Sequence, residues 1–138
     1  MKLTLFTDYS MRVMFYLASH PDRLCSIAEV ASAYQISQNH LMKVVNELAR
    51  LGYINSVRGR GGGIKLGRPA DEIRIGEIVR QTEAGFELVD CSGCTIEGAC
   101  KLTCLLKEAL SAFLKVLDKS TLEELALGPS DFDVGALK

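Results

Sequence analysis

The stretch SIAEVASAYQISQNHLMKVVNELARLG, residues 26–52, contains two short helical patterns separated by a tight connection. Ser26 is followed three residues later by Glu29, a capping box that predicts the start of the first helix. Ser37 is placed to cap the second helix, and Gly52 to end it. The apolar residues that share one face of this second helix are Leu41, Val44, Val45 and Leu48. Two short helices joined in this way predict a helix-turn-helix.

The outward face of the second helix is polar and basic near its start. Its candidate DNA-contacting residues are Ser37, Gln38, Asn39, His40 and Lys43. One helix fits the major groove of DNA, and Asn, Gln and Lys are side chains that pair with base edges. We therefore expect a recognition helix, with a helical hairpin that has an ordinary solvated face as the alternative.

The segment YINSVRGRGGGIKL, residues 53–66, has two strand-like runs on either side of a glycine-rich turn. Arg58 and Arg60 lie at the tip of this predicted hairpin, and Lys65 lies on its second strand. Glycines permit a close approach of the backbone, and arginines suit phosphates or a narrow minor groove. A helix-turn-helix followed by a basic hairpin predicts a winged helix.

The charge is distributed unevenly along the chain. Residues 1–69 contain nine Lys and Arg against four Asp and Glu, and the remaining residues contain seven against thirteen. This asymmetry indicates that only the first half meets a polyanion such as DNA. No apolar run approaches the roughly 18 residues that a membrane span needs, and Asp8 comes too early for a secretory signal, so we expect a cytoplasmic protein.

Two further helices are predicted outside the helix-turn-helix. The first runs from Thr7 or Asp8 to His20, and the second is a long one whose leucines recur at spacings of three and four from Leu102 to Leu117. Both are too apolar to be covered by a single short chain, which predicts a homodimer. The fold class is mainly α with a small β-hairpin wing. The expected division is a winged-helix DNA-binding domain at 1–83, a cysteine loop at 84–104, a dimerisation helix region at 102–127 and a flexible tail at 128–138.

Four cysteines lie in the stretch CSGCTIEGACKLTC: Cys91, Cys94, Cys100 and Cys104. In a reducing cytosol, clustered cysteines are more often metal ligands or redox sensors than disulfides. Structural zinc sites usually use two separated Cys-x2-Cys pairs, whereas this stretch has one, next to a helix start that favours thiolates. An iron-sulfur cluster is therefore favoured, and zinc or a thiol redox switch stays as an alternative.

Two residue types outside this stretch bear on the chemistry. Cys25 stands apart and is expected to be core or inert surface. The chain has only two histidines, His20 and His40, so no general base is evident near the cysteines for nucleophilic catalysis. We therefore expect that the protein is not an enzyme.

With these features in place, the chain resembles the Rrf-type family of bacterial iron-sulfur winged-helix transcription regulators, and among its members the nitric-oxide-sensitive repressors. The resemblance runs from Met1 to about Leu125. It rests on LTLFTDYSMRVMFYLA, ISQNHLMKVVNELARLGYI, VRGRGGGIKLGRPADEIRIGEIVR, ELVDC and ACKL. It implies a homodimer that binds an inverted-repeat operator in double-stranded DNA with its cluster, 2Fe-2S or 4Fe-4S, in place. It also implies that nitric oxide, by attacking that cluster, releases the operator.

The resemblance implies specific cluster ligands. Three are carried onto Cys91, Cys94 and Cys100, and the fourth is either Asp8 of the partner subunit or Cys104. Only two residues separate Cys91 from Cys94 here, fewer than in the nitric-oxide-sensitive members. Cys104 lies near the place where regulators of cluster assembly have a histidine ligand. Sensing of iron or cluster status is therefore the alternative to sensing of nitric oxide.

Overall fold

The computed structural model describes residues 2–132 and is mainly helical, with one two-stranded hairpin. The α-helices and strands, in chain order, are α1 Leu5–Ser19, α2 Ile27–Tyr34, α3 Gln38–Arg50, β1 Ile54–Val57, β2 Gly63–Leu66, α4 Ile75–Thr82, α5 Leu102–Leu117 and α6 Leu122–Leu125. Two short 3-10 turns occur at Ala70–Glu72 and Pro129–Phe132. This is the winged helix-turn-helix with a long C-terminal helix that the sequence predicts. Among the helices of residues 2–132, none is long and apolar enough to cross a bilayer.

Helix α1 begins at Leu5, so the predicted start at Thr7 or Asp8 is wrong by a few residues. The cause is Thr4, whose Oγ1 accepts a hydrogen bond from the Thr7 backbone N–H at 3.3 Å and caps the helix. Asp8 therefore lies inside the first turn and is not the cap residue of α1. Since α1 packs against α3, α4, α6 and β2, most of its apolar surface is covered within the chain.

The helix-turn-helix forms as predicted. Ser26 Oγ accepts from the Glu29 N–H at 3.0 Å, while the Glu29 carboxylate accepts from the Ser26 N–H at 2.9 Å. Gln35 then adopts a left-handed conformation with φ of 55°, which turns the chain into α3. The four apolar residues predicted for the inner face of α3 are all buried. Ser37 occupies the cap position of α3, but its side chain accepts no capping hydrogen bond.

The wing is an antiparallel hairpin that is joined to the core through one further backbone pair. Its register runs from Ile54 opposite Leu66 to Val57 opposite Gly63. Cys25 pairs with Ile64 in both directions, at N–O distances of 2.9 and 2.7 Å. Cys25 is fully buried there, and burial raises the pKa of its thiol to about 11. It is therefore an inert core residue.

The residues that follow α5 form backbone hydrogen bonds with the residues at the start of α4. The Ile75 N–H donates to the Ser120 carbonyl at 3.0 Å, and the Leu122 N–H donates to the Ile73 carbonyl at 2.8 Å. The side of α5 that faces the rest of the chain is lined by half-buried leucines: Leu106, Leu110, Leu114 and Leu117. In the region expected to be a tail, Phe132 packs edge-on against the Tyr16 ring at 4.9 Å between centroids, and residues 133–138 lie outside the described part of the chain.

Candidate nucleic-acid interface and cysteine site

The outward face of α3 presents the polar side chains that the sequence predicts. Gln38, Asn39, His40 and Lys43 are all exposed, because the buried inner face fixes how the helix is rotated about its axis. The same surface includes Met42, whose exposed fraction is 44%, and Asn46. We did not predict Met42 as a surface residue, although its position off the apolar face could have identified it. An exposed methyl group next to amides suits contact with a thymine methyl in the major groove.

The first turn of α3 also contacts α1. The His40 and Tyr9 rings lie 6.4 Å apart between centroids, with an angle of 35° between their planes. Tyr9 directly follows Asp8, the candidate fourth ligand. The candidate ligand Asp8 therefore lies one residue from a contact between α1 and the recognition helix.

The tip of the wing is shaped by its glycines. The Gly62 N–H donates to the Gly59 carbonyl at 3.0 Å, and Gly59 has φ of 94°. A Cβ atom at Gly62 would lie 2.1 Å from the Val57 carbonyl oxygen, so no larger residue fits this turn. Arg58 and Arg60 extend from the tip and are exposed.

The predicted DNA-contacting cations differ in their partners from five other arginines of the chain. Arginines that form ion pairs with carboxylates within the chain are Arg12, Arg23, Arg50, Arg68 and Arg80. By contrast, the predicted DNA-contacting cations take part in no ion pair within residues 2–132; they are Lys43, Arg58, Arg60 and Lys65. All four are exposed. The surface formed by α3 and the wing therefore carries positive charge that is available to phosphates.

The cysteine segment, residues 84–104, is folded into a series of turns before α5. The Cys94 N–H donates to the Cys91 carbonyl at 3.1 Å, and the Cys100 N–H donates to the Ile96 carbonyl at 3.0 Å. The Cys91 Sγ lies 3.6 Å from the Thr103 Oγ1, which places this thiol beside the first turn of α5. Cys94 and Cys104 are exposed, and Cys91 and Cys100 are half-buried.

The predicted ligands fit a metal cluster by their chemistry, although the chain by itself does not gather them. All five cysteines are free thiols, and the four of the segment are at least partly accessible. Within residues 2–132, however, no three His, Cys, Asp or Glu side chains lie close enough together to hold a metal ion. Three thiols would come together only if the segment closed around the group that they bind.

Asp8 is accessible from outside its own chain. Its carboxylate accepts two hydrogen bonds from the Arg12 guanidinium, at 3.0 and 3.2 Å, and both side chains are about 40% exposed. The Arg12 guanidinium also lies over the rings of Tyr9 and Tyr34, at 6.0 and 5.6 Å. Arg12 therefore already holds the Asp8 carboxylate, in the way that metal-ligating carboxylates are commonly held by hydrogen bonds.

Glu83, the last residue before the cysteine segment, is bound to the start of α1. Its carboxylate accepts hydrogen bonds from the Thr4 N–H and hydroxyl, both at 3.2 Å, and from the Thr7 hydroxyl at 2.5 Å. Burial acts to raise the pKa of Glu83, but the hydrogen bonds from Thr7 and Thr4 outweigh it and leave the pKa below its ordinary value. Because these partners are more than seventy positions away in the sequence, no local pattern could have identified them.

The profile of the Rrf2 family, described as "Iron-dependent Transcriptional regulator", matches residues 3–127. The chain is 49% identical over 137 residues to the "HTH-type transcriptional regulator NsrR" of Bacillus subtilis, covering 95% of this chain and 94% of that protein. These relatives are transcriptional regulators, not enzymes.

Two solved structures are similar to the whole fold. CymR, the global cysteine regulator of B. subtilis, has a TM-score of 0.78 and 29% identity, covering 91% of this chain and 96% of that one. IscR of T. potens has a TM-score of 0.75 and 25% identity, covering 91% and 86%.

Proposed function

Since the chain belongs to the Rrf2 family and is a transcriptional regulator of the Rrf2/NsrR type, we propose that it is a cytoplasmic repressor whose operator affinity is switched by an iron-sulfur cluster that senses nitric oxide. The observation that carries this proposal is a set of four free, accessible thiols directly before the long helix of such a regulator. The DNA-binding part, the dimer and the cluster are supported by different residues.

DNA binding is supported by the exposed surface of α3 and the wing. Gln38, Asn39 and His40 are at the start of α3, where a helix in the major groove contacts base edges. Arg58 and Arg60 lack ion-pair partners within the described residues and are assigned to phosphates or the minor groove. Ser37, Lys43 and Lys65 complete the contact set.

The homodimer is supported by a second apolar stripe on α5. Its members follow one another at spacings of three or four residues and are exposed in the single chain: Leu102, Leu105, Ala109, Phe113 and Val116. Leu105 and Val116 are about 60% exposed, and a contiguous row of exposed apolar residues marks an interaction site where a single one would not. A second copy of α5 fits this stripe, because a two-fold axis pairs identical apolar faces. The dimer presents two recognition helices to an inverted-repeat operator in double-stranded DNA.

The cluster is assigned to the cysteine segment. The proposed ligands are Cys91, Cys94 and Cys100, with either Asp8 of the partner subunit or Cys104 as the fourth. Thiolates of this kind hold both 2Fe-2S and 4Fe-4S clusters, and a helix start next to them favours the thiolate form. When bound, the cluster supplies an iron centre with which nitric oxide reacts.

Binding of the cluster by its ligands would affect operator affinity through two helices, α1 and α5. Cys100 and Cys104 are at the N-terminal end of α5, so ligation fixes that end of the proposed dimer helix. Asp8 is one residue from Tyr9, which contacts His40 on the recognition helix. Half-sites one helical turn apart, about 34 Å, tolerate little change in the separation of the two recognition helices. Release of the ligands therefore lowers operator affinity.

The experiment that tests the cluster is anaerobic purification followed by iron and sulfide analysis and visible absorbance. We expect a coloured protein that contains both elements, and a colourless zinc protein would contradict the proposal. Asp8→Asn and Cys104→Ser identify the fourth ligand, because only the variant that lacks it alters the cluster spectrum. Cys25→Ala is the matched control, since it removes a thiol outside the segment. A cluster that is insensitive to nitric oxide but lost on iron limitation would instead favour sensing of iron status.

A further inference from the structure

The two inner ends of the wing meet at one carboxylate, Glu77 of α4. Tyr53, which directly precedes β1, donates from its Oη to Glu77 Oε1 at 3.0 Å. Arg68, two residues after β2, donates from Nη1 to the same oxygen at 2.6 Å. Both strands of the hairpin are thus attached to α4 through a single side chain.

This attachment is reinforced by neighbouring contacts. The Arg68 guanidinium lies 5.8 Å from the centre of the Tyr53 ring and donates from Nη2 to the Glu72 carbonyl at 3.0 Å. The Gly67 N–H donates to the Tyr53 carbonyl at 2.8 Å. Tyr53 is 2% exposed, so one side of this group of polar contacts is shielded from solvent.

Helix α4 is itself fixed to the end of α5. Arg80 forms an ion pair with Asp118 through two hydrogen bonds, and its Nη2 lies 2.8 Å from the Asp118 Oδ2. Gly76 leaves room for this carboxylate, since a Cβ atom there would lie 1.9 Å from the Asp118 Oδ1. One short helix therefore holds both the root of the wing and the end of the proposed dimer helix.

We propose that Glu77 is a positioning residue for DNA binding, which holds Arg58 and Arg60 of the wing at a fixed place relative to the recognition helix. A hairpin of two four-residue strands has little stability of its own, so its direction depends on what holds its root. Arg58 and Arg60 have no ion pair within residues 2–132 to orient them. This inference rests on the proposed DNA binding, but it does not depend on the cluster.

The test measures binding to a labelled DNA duplex of about 30 base pairs, long enough for two half-sites, over a range of salt concentrations. Each phosphate contact contributes about 0.9 to the slope of log affinity against log salt, so Arg60→Ala should lower the slope by about 1. Glu77→Gln keeps the shape of the side chain and removes its charge. It should weaken binding about fivefold or more and lower the slope by between 1 and 2, because both arginines lose their position.

The decisive comparison is the double variant. If Glu77 acts through the wing, Arg60→Ala in the Glu77→Gln background should weaken binding by less than about twofold further. Fully additive effects would overturn the inference, and so would a normal salt slope in Glu77→Gln. If Arg60→Ala alone left affinity and slope unchanged, the assignment of the wing to DNA would fail, which is a separate outcome.

Two further variants keep the test informative. Asp71→Asn is the charge-matched control, because it removes an exposed carboxylate from the segment between the wing and α4 and should not lower the slope. Tyr53→Phe removes one of the two hydrogen bonds to Glu77 and should give a smaller change in the same direction as Glu77→Gln. If Glu77→Gln did not fold, a Tyr53→Phe protein with a normal slope and normal affinity would overturn the inference.

Discussion

The winged helix and the cysteine segment differ in how much of their structure comes from contacts within the chain. In the winged helix, the inner face of α3 is buried, and β2 is paired with β1 on one edge and with Cys25, through Ile64, on the other. In the cysteine segment, by contrast, residues 84–104 are all exposed or half-buried. The hydrogen bonds described there join residues of the segment to one another or to α5. The proposed DNA-contacting surface is thus fixed by the fold, whereas the cysteine segment would be fixed only by the proposed cofactor and second subunit.

The largest expected effect comes from removing one thiol of the segment. Cys100→Ser should reduce bound iron to near zero and lower operator affinity by about 10- to 100-fold, a typical range for coupling between two sites. It should change the thermal unfolding of the protein without cofactor only slightly, because Cys100 is only half-buried and serine is similar in size. Iron analysis, operator binding and calorimetry check this prediction. A Cys100→Ser protein that retains its full iron content would show that Cys100 does not hold the cofactor. It would then contradict the view that the cofactor fixes the cysteine segment.

The second prediction concerns the exposed stripe of α5. Leu105→Glu places a charge in the proposed dimer contact and should raise the dimer dissociation constant by about 100-fold, or roughly 3 kcal/mol. Ser111→Glu adds the same charge on the polar side of the same helix and should have little effect. Sedimentation measures both. Equal effects of the two variants would remove the stripe as the dimer contact.

A smaller effect is expected where the two regions meet, at Glu83. Glu83→Gln should lower the free energy of unfolding by about 1–3 kcal/mol at neutral pH, since a charged group that accepts three hydrogen bonds is replaced. The pKa of Glu83 is depressed in the folded state, so its stabilisation is present above the ordinary pKa of 4.5 and is lost as the pH falls below it. The wild-type and variant curves of stability against pH should therefore converge in acid. A constant difference at every pH would contradict this ionic role.

The smallest predicted difference lies within the helix-turn-helix itself. Ser26→Ala removes the capping-box bond from the Glu29 N–H to the Ser26 Oγ, and keeps the one from the Ser26 backbone N–H to Glu29; it should cost about 1 kcal/mol of stability. Ser37→Ala should cost close to zero, because the Ser37 side chain makes no capping bond. Denaturant unfolding of the two variants checks this pair. Equal losses would mean that Ser37 caps α3 in solution.

Features that depend on neighbouring residues in the sequence could be predicted, whereas contacts between residues far apart in the sequence could not. The capping box at Ser26 and the glycine-rich tip of the wing are local patterns, so the sequence predicted them, and the family resemblance is confirmed. The start of α1 was wrong because the local cap at Thr4 was overlooked. The bonds that join Thr4 to Glu83, by contrast, could not be predicted, because these residues are 79 positions apart in the sequence. The attachment of the wing to Glu77 was missed for the same reason. The predicted ligands stay a prediction, because no group of the described residues forms a complete metal site.

The most direct measurement is operator affinity of the anaerobically purified protein before and after stoichiometric nitric oxide, with visible absorbance recorded on the same samples. We expect tight binding by the coloured protein, and a fall of about tenfold or more in affinity that follows the change in absorbance. Affinity that stays constant while the absorbance changes would contradict a cluster that controls DNA binding.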